Sequence, residues 1–379
     1  MSETAAIDAT TALDLQHVTK RFGRSAVALD DVSLSVPPGS FTVILGAAGA
    51  GKTTTLRTIA GLESPEKGRV ILAGHDVGSW EPKDRNVSMI FDNLALYPNK
   101  TGFQNIASPL RIRGESPDVI KERVEKLAAT LQVAHVLGRL PKTMSGGERQ
   151  RIALGRALIR TPIIFLLDEP LSSLDAKLRI ELRAELRRLQ RDLGYTFLMA
   201  TPDYNEALAI ADSVVLLRKG RVVQVAPPQE LYDLPVDREA ASFVGAPQIN
   251  LMPASAMAEG SSSLLAAAGA RLPLPAHFLR LLGNAPYEFE LGIRPENLAL
   301  APLDKAGITG AVIDFEPLGL KSVLTVRNDA AELRMLVDSA AAQSVSMGQE
   351  VGVEPLNPHL MLAFDKETGL RIGADDLVN

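Results

Sequence analysis

The sequence predicts an α/β fold in the N-terminal part of the chain and an all-β domain after it. An apolar run, Phe41–Leu45, leads through a glycine-rich loop into a helical segment at residues 53–59. A second apolar run, at residues 161–167, is typical of a strand buried on both faces. Beyond about Asp237, short β segments dominate. Strands that alternate with helices predict a mostly parallel sheet with helices on its faces.

The composition narrows the class of protein. A chain of 379 residues, 46% hydrophobic and 22% charged, predicts a globular protein of two or three domains. Its net charge of −5 offers no general attraction to nucleic acid or anionic lipid. The absence of cysteine excludes disulfides and thiolate chemistry, and the five histidines lack metal-ligand spacing. No segment resembles a signal peptide or reaches the roughly 18 apolar residues that cross a bilayer, so we expect membrane association only through a partner.

Hydrophobic periodicity predicts the elements of the first part of the chain. Residues 1–12 are small and polar and predict a flexible tail, whereas the alternation over residues 13–36 predicts paired strands. Residues 93–160 contain two amphipathic stretches, 119–131 and 147–159. These stretches predict a helical subdomain inserted between two parts of the sheet.

Periodicity and apolar runs also predict the elements of the rest of the chain. Leucines at helical spacing predict a helix over residues 178–193, and apolar runs predict strands at 196–200 and 213–218. Residues 247–290 are rich in Ser, Ala and Pro and predict loops. From Leu291 onward, short apolar segments predict a small β-barrel-like domain.

The glycine-rich loop at residues 46–54 fits the pattern G-x-x-x-x-G-K-[ST] of phosphate-binding loops. Glycines allow the backbone N–H groups to converge on an anion, and the following helix directs its positive end toward it. Lys52 supplies a charge for the β- and γ-phosphates, and the hydroxyl of Thr53 can ligate Mg²⁺. The loop therefore predicts nucleotide binding.

Two carboxylates follow the apolar run at residues 161–167. Ligands of parallel sheets bind at the carboxyl ends of the strands, which is where Asp168 and Glu169 lie. Asp168 can hold Mg²⁺ directly or through water, and Glu169 can polarise the attacking water as a general base.

A second anion site is predicted at Ser145, Gly146, Gly147 and Glu148, which open a helix. One phosphate loop already holds a triphosphate. A second phosphate-binding turn is most simply used on a nucleotide that another subunit holds.

These motifs together resemble the ATPase subunits of ABC transporters, in particular those of the carbohydrate-uptake importers for maltose and glycerol 3-phosphate. The resemblance extends over residues 13–379. It identifies residues 46–54 with the Walker A loop, 144–148 with the signature motif, 163–169 with Walker B and 171–175 with the D-loop.

The resemblance implies roles for individual residues. The expected catalytic residues are Glu169 and Lys52, and Mg²⁺ is expected on Thr53, Asp168 and Asp92. An aromatic ring stacks on adenine in this family, and Phe22 occupies that position. The expected contacts of ATP are Phe22, Gly46, Ala47, Ala48, Gly49, Ala50, Gly51, Lys52, Thr53, Thr54, Ser145, Gly146, Gly147 and Glu148.

It also implies a domain plan: an ABC ATPase domain at residues 13–236 with its helical subdomain, then an all-β, OB-like regulatory domain at 237–379. The segment 291–296 resembles part of that regulatory domain. In this family the ATPase subunits form a head-to-tail dimer that holds ATP between Walker A of one subunit and the signature of the other.

The partners implied are a second ATPase subunit, two transmembrane permease subunits contacted through a cleft near residues 94–106, and a periplasmic or extracellular solute-binding protein. Nucleic acid is not an expected partner. The chain is then expected to be peripheral, on the cytoplasmic face of the inner membrane.

Two positions depart from the family. Asp92 replaces a glutamine that contacts Mg²⁺ and the attacking water, and Pro202 replaces a histidine that donates to the γ-phosphate. Asp92 is shorter and adds negative charge, and proline has neither an imidazole nor a backbone N–H. Loss of one preorganised donor costs on the order of 10²–10³ in rate, so we expect the site to bind ATP but to hydrolyse it poorly.

These departures favour one function, and three alternatives remain. The chain is interpreted as the partly degenerate half of a heterodimeric ATPase pair. The alternatives are a homodimeric transporter ATPase with slow turnover, a regulatory subunit that holds ATP without turnover, and a soluble non-transport ABC ATPase. The single phosphate loop argues against the last of these, because such proteins usually carry two cassettes or a long coiled coil.

Overall fold

The computed structural model describes residues 11–23, 26–90, 96–172, 175–259, 262–275, 278, 287–304 and 306–373. The chain divides into two compact units, Met1–Pro228 and Gln229–Asn379. No helix in the described ranges combines the length and the hydropathy that a membrane crossing demands.

The first unit alternates strands and helices, as the sequence predicts. Among its described residues the strands are β1 (Leu13–Phe22), β2 (Ala26–Val36), β3 (Phe41–Leu45), β4 (Lys67–Leu72), β5 (His75–Asp76), β6 (Val87–Ile90), β7 (Ile164–Asp168), β8 (Phe197–Thr201), β9 (Ser213–Arg218) and β10 (Arg221–Ala226). The helices described there are α1 (Lys52–Ala60), α2 (Gly102–Ile112), α3 (Pro117–Thr130), α4 (Gly146–Leu158), α5 (Ala176–Leu193) and α6 (Tyr204–Ile210).

The central sheet of this unit, counted over the described residues, has six strands in the order β10-β9-β3-β8-β7-β6. Its strands pair in parallel except β10, which forms an antiparallel hairpin with β9. Lys219 and Gly220 have φ of 50° and 78°, the left-handed conformation that two-residue hairpin turns use. The α/β prediction is confirmed, and α2, α3 and α4 form the predicted helical insert between β6 and β7.

The core of the central sheet contains stacked aromatic rings. The rings of Phe41 and Phe197 lie 5.1 Å apart, and those of Phe165 and Phe197 lie 5.0 Å apart. All three side chains are fully buried. They come from the neighbouring strands β3, β8 and β7, and so their packing fixes the strands that carry the loops of the site.

The second unit is dominated by antiparallel strands. In the described part of the chain they are β11 (Asn250–Glu259), β12 (Ser262–Ala267), β13 (Ala270–Pro273), β14 (Tyr287–Ile293), β15 (Leu298–Ala301), β16 (Ile308–Pro317), β17 (Lys321–Arg327), β18 (Glu332–Asp338), β19 (Glu350–Pro355) and β20 (Leu362–Asp365). Short helices accompany them at α7 (Pro228–Asp233), α8 (Arg238–Phe243) and α9 (Ser339–Ala342). The prediction of an all-β C-terminal region is confirmed.

These strands form two sheets of five strands each, within the residues described, in the orders β13-β12-β11-β14-β20 and β15-β19-β16-β17-β18. The prediction that residues 247–290 are loop-rich is wrong, because β11, β12 and β13 lie in that range. Alanine and serine have little preference for strands. However, β11 pairs with β14 from Asn250 opposite Ile293 to Ala256 opposite Tyr287, and tertiary pairing overrides the local preference.

We predict that Phe197→Ala destabilises the first unit by about 3–5 kcal/mol, because it removes a fully buried ring from the aromatic stack. Urea unfolding followed by circular dichroism measures the loss. Ile112→Ala is the control, since that side chain is 81% exposed and its truncation changes stability by no more than about 0.5 kcal/mol. Equal effects of the two variants would contradict the prediction.

Candidate functional site

The loop at residues 46–51 connects β3 to α1. Gly51 precedes α1 with φ of 108°, and Gly49 has φ of 78°. Added β-carbons would lie 2.3 Å from the Leu217 carbonyl oxygen at Gly46 and 2.6 Å from the Ala28 carbonyl oxygen at Gly51. These two glycines therefore permit close packing of the loop on its neighbours, a role in addition to the predicted exposure of N–H groups. The N-terminus of α1 has no side-chain cap.

Lys52 is buried at the start of α1. Its Nζ donates to the carbonyl oxygens of Gly46 at 3.0 Å and Ala47 at 3.1 Å. The same atom lies 3.5 Å from Oε1 of Glu169. The loop thus encloses its lysine, and the ammonium group lies at the carboxyl ends of β3 and β7.

Thr53 and Asp168 bring two oxygen ligands together. The hydroxyl of Thr53 donates to Oδ1 of Asp168 at 3.0 Å, which joins α1 to the end of β7. Hydroxyl and carboxylate oxygens are ligands that Mg²⁺ accepts, usually completed by water and substrate phosphates. The chemistry of this donor set therefore fits Mg²⁺. Among the residues described, no three carboxylate or histidine side chains cluster as a metal site by themselves.

Glu169 adopts an uncommon backbone conformation, with φ of 46°. Its N–H donates to the carbonyl oxygen of Ala200, and its own carbonyl oxygen accepts from the hydroxyl of Ser172 at 2.9 Å. Non-glycine residues held at positive φ occur often where the chain must orient a functional side chain. Here the turn directs the carboxylate toward Lys52.

The turn after β8 contains Pro202, which is exposed. Because Leu45 pairs with Thr201 and Asp168 pairs with Ala200, the turn lies at the same sheet edge as the phosphate loop and the two carboxylates. Asp92, the other departure from the family, lies outside the described residues.

The signature segment opens α4 with a reciprocal capping box. The Ser145 hydroxyl accepts from the N–H of Glu148 at 3.2 Å, and Oε2 of Glu148 accepts from the N–H of Ser145 at 2.7 Å. The predicted anion site therefore contains a carboxylate. The backbone N–H of Ser145 is the main reason that the pKa of Glu148 lies below its usual value.

His135 belongs to this second site although its spacing gave no sign of a role. Its Nε2 lies 3.1 Å from Oε1 of Glu148, thirteen residues along the chain. The two side chains line a cavity of about 440 Å³ together with Gly146, Gly147 and Arg151. No sequence pattern could have found this contact, since the segment between the two residues is irregular.

The structure thus brings some of the predicted residues together and keeps others apart. Lys52, Thr53, Asp168 and Glu169 form one cluster at the sheet edge. The signature residues line a separate cavity. Phe22 ends β1, the residue is 44% exposed, and Nζ of Lys20 lies 5.2 Å from its ring centre.

A further cavity of about 500 Å³ lies beside the helical insert. Its lining includes Tyr97 and four basic residues, Lys83, Arg113, Arg156 and Arg160. Burial lowers the pKa of Arg156, which contacts the ring of Tyr97.

We predict that Glu148→Gln lowers the free energy of unfolding by about 0.3–1 kcal/mol at pH 7, because it removes a charge from the N-terminus of α4. A carboxyl whose folded-state pKa is lowered stabilises the fold above its usual pKa, and this contribution is lost as the pH falls through the folded-state value. The difference between the variant and the native chain should therefore shrink as the pH falls below 4.5.

Urea titrations from pH 7 down to the lowest pH at which the chain folds measure this difference in the free energy of unfolding. Glu125→Gln on α3 is the matched control, since it removes an exposed carboxylate elsewhere in the helical insert. If Glu148→Gln lowers the free energy of unfolding by the same amount at every pH, the electrostatic explanation is contradicted.

Two solved structures resemble this chain over more than half of its length. The dimeric ATP-binding cassette MJ0796, in a post-hydrolysis state bound to ADP and Pi, matches 57% of this chain and 98% of its own, with 26% identity and a TM-score of 0.52. The cbiO1 protein of Clostridium perfringens, part of the transporter complex cbiONQ, shares the fold at 23% identity, with a TM-score of 0.55 over 59% of this chain and 90% of its own.

Comparison with known sequences extends to both units. Residues 29–172 match the ABC transporter family, and residues 291–362 match the TOBE domain family. The sn-glycerol-3-phosphate import ATP-binding protein UgpC of Salmonella typhi is 39% identical over 360 residues, 95% of this chain and 99% of that protein. The protein of the same name from Chromobacterium violaceum is 40% identical over 95% of this chain and 96% of its own. The chain therefore belongs to the family of ABC transporter ATP-binding subunits, the ATPases that are coupled to transport.

Proposed function

We propose that this chain powers an importer for a sugar, a polyol or a glycerol phosphate. The observation that carries the proposal is the cluster of Lys52, Thr53, Asp168 and Glu169 at one sheet edge, in a chain whose relatives are named for glycerol 3-phosphate import. In this proposal Lys52 holds the β- and γ-phosphates and Glu169 is the general base. Exposed Phe22 stacks on adenine.

The bound nucleotide is proposed to require Mg²⁺. When bound, the ion would neutralise charge on the phosphates. The Thr53 hydroxyl and the Asp168 carboxylate, which already contact each other, would hold it. Residues 46–54 would supply the other contacts to the phosphates through the loop backbone and the start of α1.

The signature segment is proposed to act on a nucleotide bound by a second ATPase subunit. It lines a cavity of its own, separate from the Lys52 cluster, as a site used in trans requires. Its serine hydroxyl and glycine N–H groups are the expected donors.

The degenerate positions favour an asymmetric pair. Pro202 has no donor for the γ-phosphate, and Asp92 adds negative charge where the family has an amide. We infer that the site on this chain's own phosphate loop binds ATP and turns it over slowly, while its signature completes an active site on a different subunit. A homodimer that works slowly through Glu169 alone is the second candidate.

The partners follow from the same proposal. Two transmembrane permease subunits would contact the cavity beside the helical insert, whose lining includes Tyr97, a residue within the range 94–106 near which the cleft is predicted. A solute-binding protein would deliver the substrate, and the subunit would lie on the cytoplasmic face of the inner membrane. The ATPase domain is proposed to end at residue 236, with a regulatory domain at residues 237–379.

We predict that the purified chain alone releases phosphate slowly at saturating ATP and Mg²⁺. Pro202→His with Asp92→Gln should raise the rate by about 10²-fold or more, because the first change restores a donor and the second removes a negative charge. A coupled phosphate assay measures the rates of the native chain and of the double variant. Glu169→Gln in the repaired chain is the control and should return the rate to background. If the native chain already turns over at about 10 per second, the degenerate-site proposal is wrong.

A further inference from the structure

A buried carboxylate lies directly beneath the turn that contains Pro202. Glu206, in the first turn of α6, is only 4% exposed, and its Oε2 accepts from the hydroxyl of Thr201 at 2.6 Å. Thr201 is the last residue of β8 and is itself 1% exposed. Burial raises the pKa of Glu206, and the hydroxyl of Thr201 opposes that shift.

The hydroxyl of Thr201 also makes a second hydrogen bond. Its oxygen accepts from the N–H of Asp203 at 3.1 Å. A hydroxyl has a single proton, and because that proton goes to Glu206, its lone pairs are left for Asp203. The hydrogen bonds from the carboxylate through the hydroxyl to the amide therefore hold the residues on either side of Pro202.

The backbone of Thr201 extends this network to the phosphate loop. Its carbonyl oxygen accepts from the N–H of Gly46 at 3.4 Å, the first residue of that loop. The position of the turn is thus tied to the position of the loop that begins the nucleotide site.

The carboxylate also reaches the helix that follows the D-loop. Nε of Arg179 on α5 lies 3.7 Å from Oε1 of Glu206, and Nη1 of the same residue lies 3.9 Å from Oδ2 of Asp203. Arg183 adds a second positive charge from α5. The side chain of Glu206 therefore links the turn to α5 by charge and to β8 by a hydrogen bond.

We propose that Glu206 is a positioning residue that holds the turn at residues 201–203 over the phosphate end of the site. Proline at position 202 contributes no N–H of its own, so the turn depends on the bonds of its neighbours for its position. This inference rests on the proposed nucleotide site and adds to it a residue that touches neither nucleotide nor metal.

The proposal is tested in the Pro202→His chain, where the side chain at position 202 reports where the turn lies. We expect the histidine to raise phosphate release by about 10²-fold in the native background, as one restored donor does. In Thr201→Val or Glu206→Ala backgrounds the same substitution should raise it less than about tenfold, because the histidine is no longer aimed at the phosphate. Thr201→Ser and Glu206→Gln keep the hydroxyl and an acceptor, and should retain the gain.

Hydrogen–deuterium exchange of the Asp203 amide supplies a readout that is independent of turnover. Its exchange should accelerate by about tenfold in Thr201→Val and in Glu206→Ala, the effect of losing about one hydrogen bond, and should stay near native in the conservative variants. Thermal unfolding and binding of a non-hydrolysable ATP analogue identify variants that fail to fold.

The outcomes separate this inference from the proposed function. An equal gain from Pro202→His in the native and Glu206→Ala backgrounds, with unchanged exchange at Asp203, would overturn the positioning role. Absence of any gain in the native background would instead contradict the impaired-site proposal, and the exchange of the Asp203 amide would still decide whether Glu206 holds the turn.

Discussion

The parallel pairing of β3, β8 and β7 is the constraint on which the site depends. Leu45 lies opposite Thr201, and Asp168 lies opposite Ala200, so three loops leave the sheet at the same edge. A slip of one residue in either pairing would reverse the face of every side chain beyond it. The stacked rings of the three strands oppose such a slip, because each ring fills space that only this register provides.

Around this edge the chain satisfies its polar groups within a small volume. The ammonium of Lys52 lies between loop carbonyls and a carboxylate, and the hydroxyl of Thr53 is bonded to Asp168. Such contacts preorganise side chains without a large energetic gain of their own, since each bond replaces one to water. The unusual backbone of Glu169 is the local cost of orienting a carboxylate at the end of a buried strand.

The two segments that are predicted to bind phosphate differ in the groups at their helix starts. The start of α1 has a lysine and no side-chain cap, whereas the start of α4 is capped by a carboxylate that contacts His135. The lysine at the start of α1 contacts a carboxylate from the turn after β7, whereas the carboxylate at the start of α4 belongs to that segment itself.

The sequence by itself predicted which residues would carry the chemistry. The spacing in residues 46–54, the apolar strand before Asp168 and the glycine pair after Ser145 each report a local backbone requirement, and a local requirement is visible in local sequence. The α/β order and the helical insert follow for the same reason. It also revealed that Pro202 lacks a donor, since that is a property of the residue itself.

Only the tertiary structure decided which of these residues contact each other and which further residues contact them. The contacts of His135 with Glu148 and of Glu206 with Thr201 involve ordinary residue types with no distinctive pattern around them. The sequence also did not predict the strands within residues 247–290, because alanine- and serine-rich segments form strands only when a partner such as β14 pairs with them. Pairing and burial are properties of the folded chain, and a single sequence records them only indirectly.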